Sequence, residues 1–151
     1  MTQDKSPRRV RRRLSRMKSD DRRKYRLWQG RHDRWSDRAA LGESLFERLA
    51  GHNPLGLVRL LEPGKLPPHL LTYAAEIAGR SLRAELVVAP LLRLLDASAQ
   101  VVREGAIYGL SSHDGDPRVI ARLTELARID PSPGVRMAAG GVVEDSNEVE
   151  R

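Results

Sequence analysis

The chain contains no cysteine, few aromatic residues and no long hydrophobic run. Without cysteine it can form neither a disulfide framework nor a thiolate metal site. No apolar stretch approaches the roughly 20 residues that a membrane-spanning helix needs, and no signal-peptide-like apolar run follows the basic N-terminus. We therefore expect a cytoplasmic protein. Because 151 residues is an ordinary length for one domain, we also expect a single domain.

Catalytic and metal-binding patterns are also missing. The four histidines are scattered, with no two of them three or four positions apart. The loop His113 to Asp116 offers metal-binding atoms, but it lacks the length and the remaining ligands of a calcium loop. The same Asp116, followed by Pro117, is typical of a helix start. We therefore predict no metal, no cofactor, no small-molecule substrate and no enzymatic activity.

The charge is distributed unevenly along the chain. Residues 1–38 contain 15 Lys or Arg and 5 Asp or Glu, whereas residues 39–151 contain 12 and 15. Such asymmetry indicates a polyanionic partner for the basic segment. Arginine outnumbers lysine 23 to 4, so biased codon usage is an alternative source of part of this charge.

The first third of the chain is predicted to form a disordered arm over residues 1–18, followed by basic helices over residues 19–51 that cap the rest. The arm has too little apolar area to offset the entropy of ordering it. It could contact the phosphates of nucleic acid or an acidic protein surface. The candidate polyanion-binding residues are Arg8, Arg9, Arg11, Arg12, Arg13, Arg16, Arg22, Arg23, Lys24 and Arg26.

The second half of the chain nearly repeats itself. The segments LRLLDASAQVVREGA (92–106) and LARIDPSPGVRMAA (126–139) share apolar residues, an Asp, a short gap and Val-Arg. Asp96 corresponds to Asp130 at a spacing of 34, and Arg103 to Arg136 at a spacing of 33, so the gap has lost one residue. A period of this length is typical of stacked helical hairpins.

Turn and cap residues divide residues 52–145 into helices. Asn53-Pro54, Pro67-Pro68 and Asp116-Pro117 are start signals, and Gly51 is a candidate helix end. Pro90 is expected to kink or restart the helix that contains it. The polar tail 146–151 is expected to fray. The prediction is an all-α fold, a short α-solenoid of about three antiparallel hairpins with N-terminal capping helices.

With Leu-x-x-Leu-Leu-Asp followed by Val-Arg-x-x-Ala, the sequence resembles a HEAT repeat of the short bacterial, phycobilisome-lyase-like type. Residues 91–110 and 123–143 match this pattern well, and residues 55–79 match it loosely. The resemblance implies a ladder between neighbouring repeats, formed by Asp96 with Arg103 and by Asp130 with Arg136. Such buried pairs fix register more than they add stability.

The resemblance also implies a concave binding surface formed by the second helices of the hairpins. We therefore predict an adaptor or scaffold that binds a protein partner. The alternative is a nucleic-acid-binding protein that uses the basic arm. The candidate contact residues on the concave face are His69, Tyr73, Glu76, Arg103, Glu104 and Tyr108.

Overall fold

The structure, a computed structural model, describes residues 42–150 and contains only helices and turns in that range. A 3-10 turn, Ser111–His113, follows the helix Gln100–Leu110. The predicted all-α fold is confirmed for this part of the chain. The helices are α1 (residues 42–52), α2 (Pro54–Leu60), α3 (Pro68–Ser81), α4 (Ala84–Leu94), α5 (Gln100–Leu110), α6 (Pro117–Ile129) and α7 (Pro133–Val149).

Proline after a capping residue starts three of the helices. The Asn53 side chain accepts a hydrogen bond from the Gly56 N–H at 3.0 Å, which caps α2. Asp116 caps α6 in the same way by accepting from the Arg118 N–H at 2.9 Å. Ser132 caps α7, and this capping residue was not singled out in the sequence. Both predicted caps are confirmed, because these side chains satisfy N–H groups that the helix leaves unpaired.

The predicted helix end at Gly51 was wrong, whereas the predicted kink at Pro90 and the fraying of the tail stay predictions. Gly51 does not end its helix, since α1 continues to residue 52. Helix α4 runs through Pro90 as one element, so the proline does not restart it. The tail expected to fray from residue 146 belongs to α7 as far as Val149. At all three positions the helix continues, because the helix propensity and packing of the neighbouring residues outweigh one unfavourable residue or a polar composition.

Helices α2–α3, α4–α5 and α6–α7 form three helical hairpins around one core. Their apolar sides contribute side chains that are almost completely excluded from solvent. Because every hairpin contributes to the same cluster, none of them could bury its apolar side alone. The largest of these core side chains are Leu57, Ile77, Leu91, Leu95, Ile107, Leu110 and Leu123.

Helix α1 covers the first hairpin. Phe46 is buried in the common core, and Leu49 packs against it. On the surface, Glu47 accepts a hydrogen bond from Arg80 of α3 at 3.1 Å. Leu45 of the same helix is exposed. The first hairpin therefore has its outer side occupied by another helix of the same chain.

Helices α3 and α5 are in backbone contact at a crossing formed by glycines. A Cβ at Gly105 would lie 2.5 Å from the Thr72 carbonyl oxygen, and one at Gly109 would lie 2.5 Å from the Ala75 carbonyl oxygen. A Cβ at Gly79 would overlap the backbone of Gly109. The contacts advance in the same direction along both helices, as expected for equivalent helices of successive repeats.

Candidate protein-binding surface

Arg103 and Asp130 form a buried ion pair between the second and third hairpins. The Nε of Arg103 donates to Oδ2 of Asp130 at 2.9 Å, and its Nη2 donates to Oδ1 at 3.0 Å. Two parallel N–H···O bonds fix the relative orientation of a guanidinium and a carboxylate. The pair therefore sets the position of one hairpin against the next.

The remaining polar atoms of this pair also have partners. The Nη1 of Arg103 donates to the carbonyl oxygens of Ala97 and Ser98, and Oδ1 of Asp130 accepts from the Ser132 N–H at 2.9 Å. Burial alone would raise the pKa of Asp130. The hydrogen bonds from Arg103 and Ser132 outweigh burial, and they hold the pKa of this carboxyl below its ordinary value.

The residues of the predicted ladder are present, but their partners differ from the prediction. Asp96 does not pair with Arg103, because it accepts a hydrogen bond from Arg122 at 2.6 Å on the surface. Arg136 does not bind the carboxylate of Asp130. Instead its Nη1 donates to the Asp130 carbonyl oxygen at 2.6 Å. Of the four predicted ladder residues, only Arg103 and Asp130 are joined to each other by an ion pair.

The shortened gap between the two helices explains this exchange of partners. Arg103 donates to the carbonyl oxygen of Ala97, six positions earlier, and Arg136 donates to that of Asp130, also six positions earlier. Asp130 is therefore the structural counterpart of Ala97, not of Asp96. The loss of one residue moves this carboxylate inward, where the arginine of the preceding repeat binds it.

The second helices leave one side open to solvent, which we call the second-helix face. His69 and Tyr108 are exposed, and the other three side chains of the set are partly buried. Five of the six predicted contact residues therefore lie on accessible positions of α3 and α5. They are His69, Tyr73, Glu76, Glu104 and Tyr108.

Arg103 does not belong to this face. It is only 9% exposed, and its guanidinium is fully engaged with Asp130, Ala97 and Ser98. The prediction that Arg103 contacts a partner is therefore wrong, because a partner would have to break the buried ion pair first.

The comparison with protein families identifies the repeats. The family model described as HEAT repeats matches residues 64–143, more than half of the chain. The chain belongs to the HEAT-repeat family. No curated protein and no solved structure matches it. The likeness to phycobilisome-lyase-type HEAT repeats stays a prediction.

Two exposed apolar residues on the second helices of the matched repeats escaped the sequence interpretation. Val101 on α5 is 42% exposed and Met137 on α7 is 80% exposed. The repeat itself carried the signal for Met137, since this residue follows Arg136 as Glu104 follows Arg103. Met137 thus extends the second-helix face onto the third HEAT hairpin.

Glu104 and Glu76 of the second-helix face make exposed polar contacts. Gln100 donates to Glu104 at 2.8 Å, and Arg80 lies 3.7 Å from Glu76 while it also binds Glu47. Exposed ion pairs of this kind contribute about 1 kcal/mol or less. A partner could therefore rearrange them at little cost.

The loop after α5 has a structural role. The His113 ring nitrogen Nε2 lies 2.7 Å from the carbonyl oxygen of Gly79, in the last turn of α3. Carbonyl groups at a helix end lack intrahelical partners, so this contact satisfies one of them. Among residues 42–150 no three His, Asp or Glu residues are grouped as a metal would require.

The predicted polyanion-binding residues of the arm all lie outside the described residues. Within the described range, no helix combines the length and the hydrophobicity that crossing a membrane would require.

Proposed function

We propose that this HEAT-repeat protein is a non-enzymatic scaffold that binds a protein partner on its second-helix face. The observation that supports it most directly is the placement of exposed apolar side chains on successive second helices. Tyr108 is 52% exposed on α5, and Met137 is 80% exposed on α7. Large tyrosine and methionine side chains are enriched at protein interfaces, where they fill pockets of the partner.

The helices that carry these anchors are held rigidly. The backbone contact between α3 and α5 and the Arg103–Asp130 pair fix α5 on both of its sides. A surface that is already ordered loses little entropy on binding, so more of the contact energy appears as affinity. The mixture of apolar anchors with exposed Gln100–Glu104 and Glu76–Arg80 contacts is typical of partners that bind and dissociate.

Removal of both anchors tests the surface. We expect Tyr108→Ala combined with Met137→Ala to weaken binding of the protein partner about a hundredfold, which corresponds to roughly 1.4 kcal/mol for each anchor. Stability should change little because both side chains are exposed. The partner would be captured by the wild-type chain from nuclease-treated lysate, purified, and titrated by calorimetry.

A matched pair of apolar residues on the first helices serves as the control. Leu55 on α2 and Ile129 on α6 are 54% and 59% exposed. Leu55→Ala with Ile129→Ala should leave the affinity unchanged. If this control pair weakened binding and the Tyr108 and Met137 pair did not, the binding surface would lie on the first helices and the proposal would be wrong.

The charge asymmetry supports a second candidate, nucleic-acid binding through the N-terminal segment. Residues 1–38 carry a net charge of +10, whereas the remaining residues carry −3. Arginine forms two-point contacts with phosphate, and neutralising phosphates releases the counterions bound to them. Affinity for nucleic acid would then fall steeply as salt is added.

The salt dependence decides this second candidate. If about six phosphates are neutralised, the plot of log K against log salt concentration should have a slope of about −5. Replacing Arg8, Arg9, Arg11, Arg12, Arg13 and Arg16 by glutamine should flatten it. Fluorescence anisotropy with a labelled duplex measures both slopes. If binding does not respond to salt, the nucleic-acid-binding function is excluded. The proposal of a protein-binding scaffold would then be unaffected.

A further inference from the structure

Arg136 of the third hairpin repeats the position of Arg103 but lacks its ion pair. Both follow a buried valine, and both donate through Nη1 to a carbonyl oxygen six positions earlier. The other two nitrogens of the Arg103 guanidinium, Nε and Nη2, form its second edge and donate to the carboxylate of Asp130 in the next hairpin. In Arg136 that edge has no hydrogen bond or ion pair within the described range. It is therefore available to a carboxylate from outside the described chain.

The side of α7 that carries these nitrogens is only partly covered, although Val143 on it packs against the core. In α5, the residues four and seven positions after Arg103 are Ile107 and Leu110, both fully buried. At the same spacing from Arg136, α7 has Gly140 and Val143, both partly exposed. A Cβ at Gly140 would meet only Ala127, at 3.9 Å. Another helix could therefore approach α7 closely at this point.

Charges of opposite sign lie at equal distances from Gly140. Arg136 precedes it by four residues, and the exposed Glu144 follows it by four, about 6 Å along the axis in each direction. If two copies of α7 cross antiparallel at Gly140, the Arg136 of each copy faces the Glu144 of the other. The helix is therefore complementary in charge to a second copy of itself.

The covering of the first hairpin by α1 favours a symmetric dimer over head-to-tail association of many copies. Helix α1 already covers the first hairpin through Phe46 and the Glu47–Arg80 contact. A head-to-tail contact would have to displace it. A two-fold contact uses the same patch on both copies and closes.

We propose that the protein forms a symmetric dimer through α7, in which Arg136 of each copy binds Glu144 of the other across a crossing at Gly140. The dimer covers the open side of the third hairpin. This contact adjoins the second-helix face, because Glu144 lies two turns after Met137 on the same side of α7. The two proposals are tested by different measurements, the affinity for the protein partner and the oligomeric state.

Charge reversal and mixing test this dimer. By sedimentation equilibrium of the full chain after nuclease treatment, the wild type should be dimeric. Arg136→Glu and Glu144→Arg should each weaken the dimer about tenfold or more, because reversal replaces attraction by repulsion at both symmetric contacts. An equimolar mixture of the two variants should dimerise again, because a mixed pair restores both attractions.

The mixing experiment distinguishes loss of the contact from poor folding, because a misfolded variant would not dimerise in the mixture. Glu144 is exposed, so Glu144→Arg should keep the wild-type helical content and melting temperature. Glu62→Arg, an exposed reversal in the turn after α2, should leave the dimer intact. The proposal is overturned by a monomeric wild type up to millimolar concentration. A dimer indifferent to either reversal, or a mixture that remains monomeric, also overturns it.

Discussion

Replacing Gly79 by alanine is expected to lower the free energy of unfolding by about 3 kcal/mol, at the upper end of the usual cost of overpacking. The new Cβ would overlap the backbone of Gly109 across the crossing of α3 and α5. A side chain can change its rotamer, but a backbone cannot, so the two helices must separate. That separation would loosen the core around Leu91, which also contacts this crossing.

Gly141→Ala is the matched control for this substitution. Gly141 lies in the interior of α7, and a Cβ there would meet no atom within 4 Å. Alanine should therefore stabilise the protein by roughly 0.5–1 kcal/mol through helix propensity alone. Urea unfolding followed by circular dichroism measures both, at one protein concentration because association contributes to stability. A Gly79→Ala variant as stable as the wild type would mean that the helices are not in backbone contact.

The helix starts could be predicted from the sequence because their causes are local. Asn53 and Asp116 cap the helices that begin at the prolines following them, and each cap needs only atoms within three residues. The hairpin period was also visible, since the Val-Arg pair recurs with its apolar neighbours. Features that depend on a few consecutive residues were therefore recovered, apart from the helix end at Gly51.

Contacts between hairpins were predicted less well because they depend on distant residues. Asp96 and Asp130 look equivalent in the aligned skeleton, but the one-residue loss in the second gap places Asp130 at the position of Ala97. Similarly, Gly105 and Gly109 give no sign in the sequence that they oppose Thr72 and Ala75. Glycine is permissive in many contexts, so its role is defined only by what lies against it.

The Arg103–Asp130 pair should show the second large effect. Asp130→Ala is expected to destabilise the protein by about 3–5 kcal/mol, because it leaves the guanidinium of Arg103 buried without its carboxylate. Asp96→Ala is the matched control from the same duplicated skeleton. Its carboxylate is 72% exposed beside Arg122, so the expected loss is about 1 kcal/mol or less. Chemical unfolding at neutral pH measures both losses.

The pH dependence separates loss of this charge pair from loss of packing. The pKa of Asp130 is lowered in the folded protein, so the unfolded chain binds the proton more readily. Its contribution is therefore fully present above the ordinary value of about 4 and is lost as the pH falls through the folded pKa. The stability difference between wild type and Asp130→Ala should stay constant near neutral pH and shrink in acid. A difference that does not change on acidification would assign the effect to packing, and it would remove the charge pair as the element that joins the second and third hairpins.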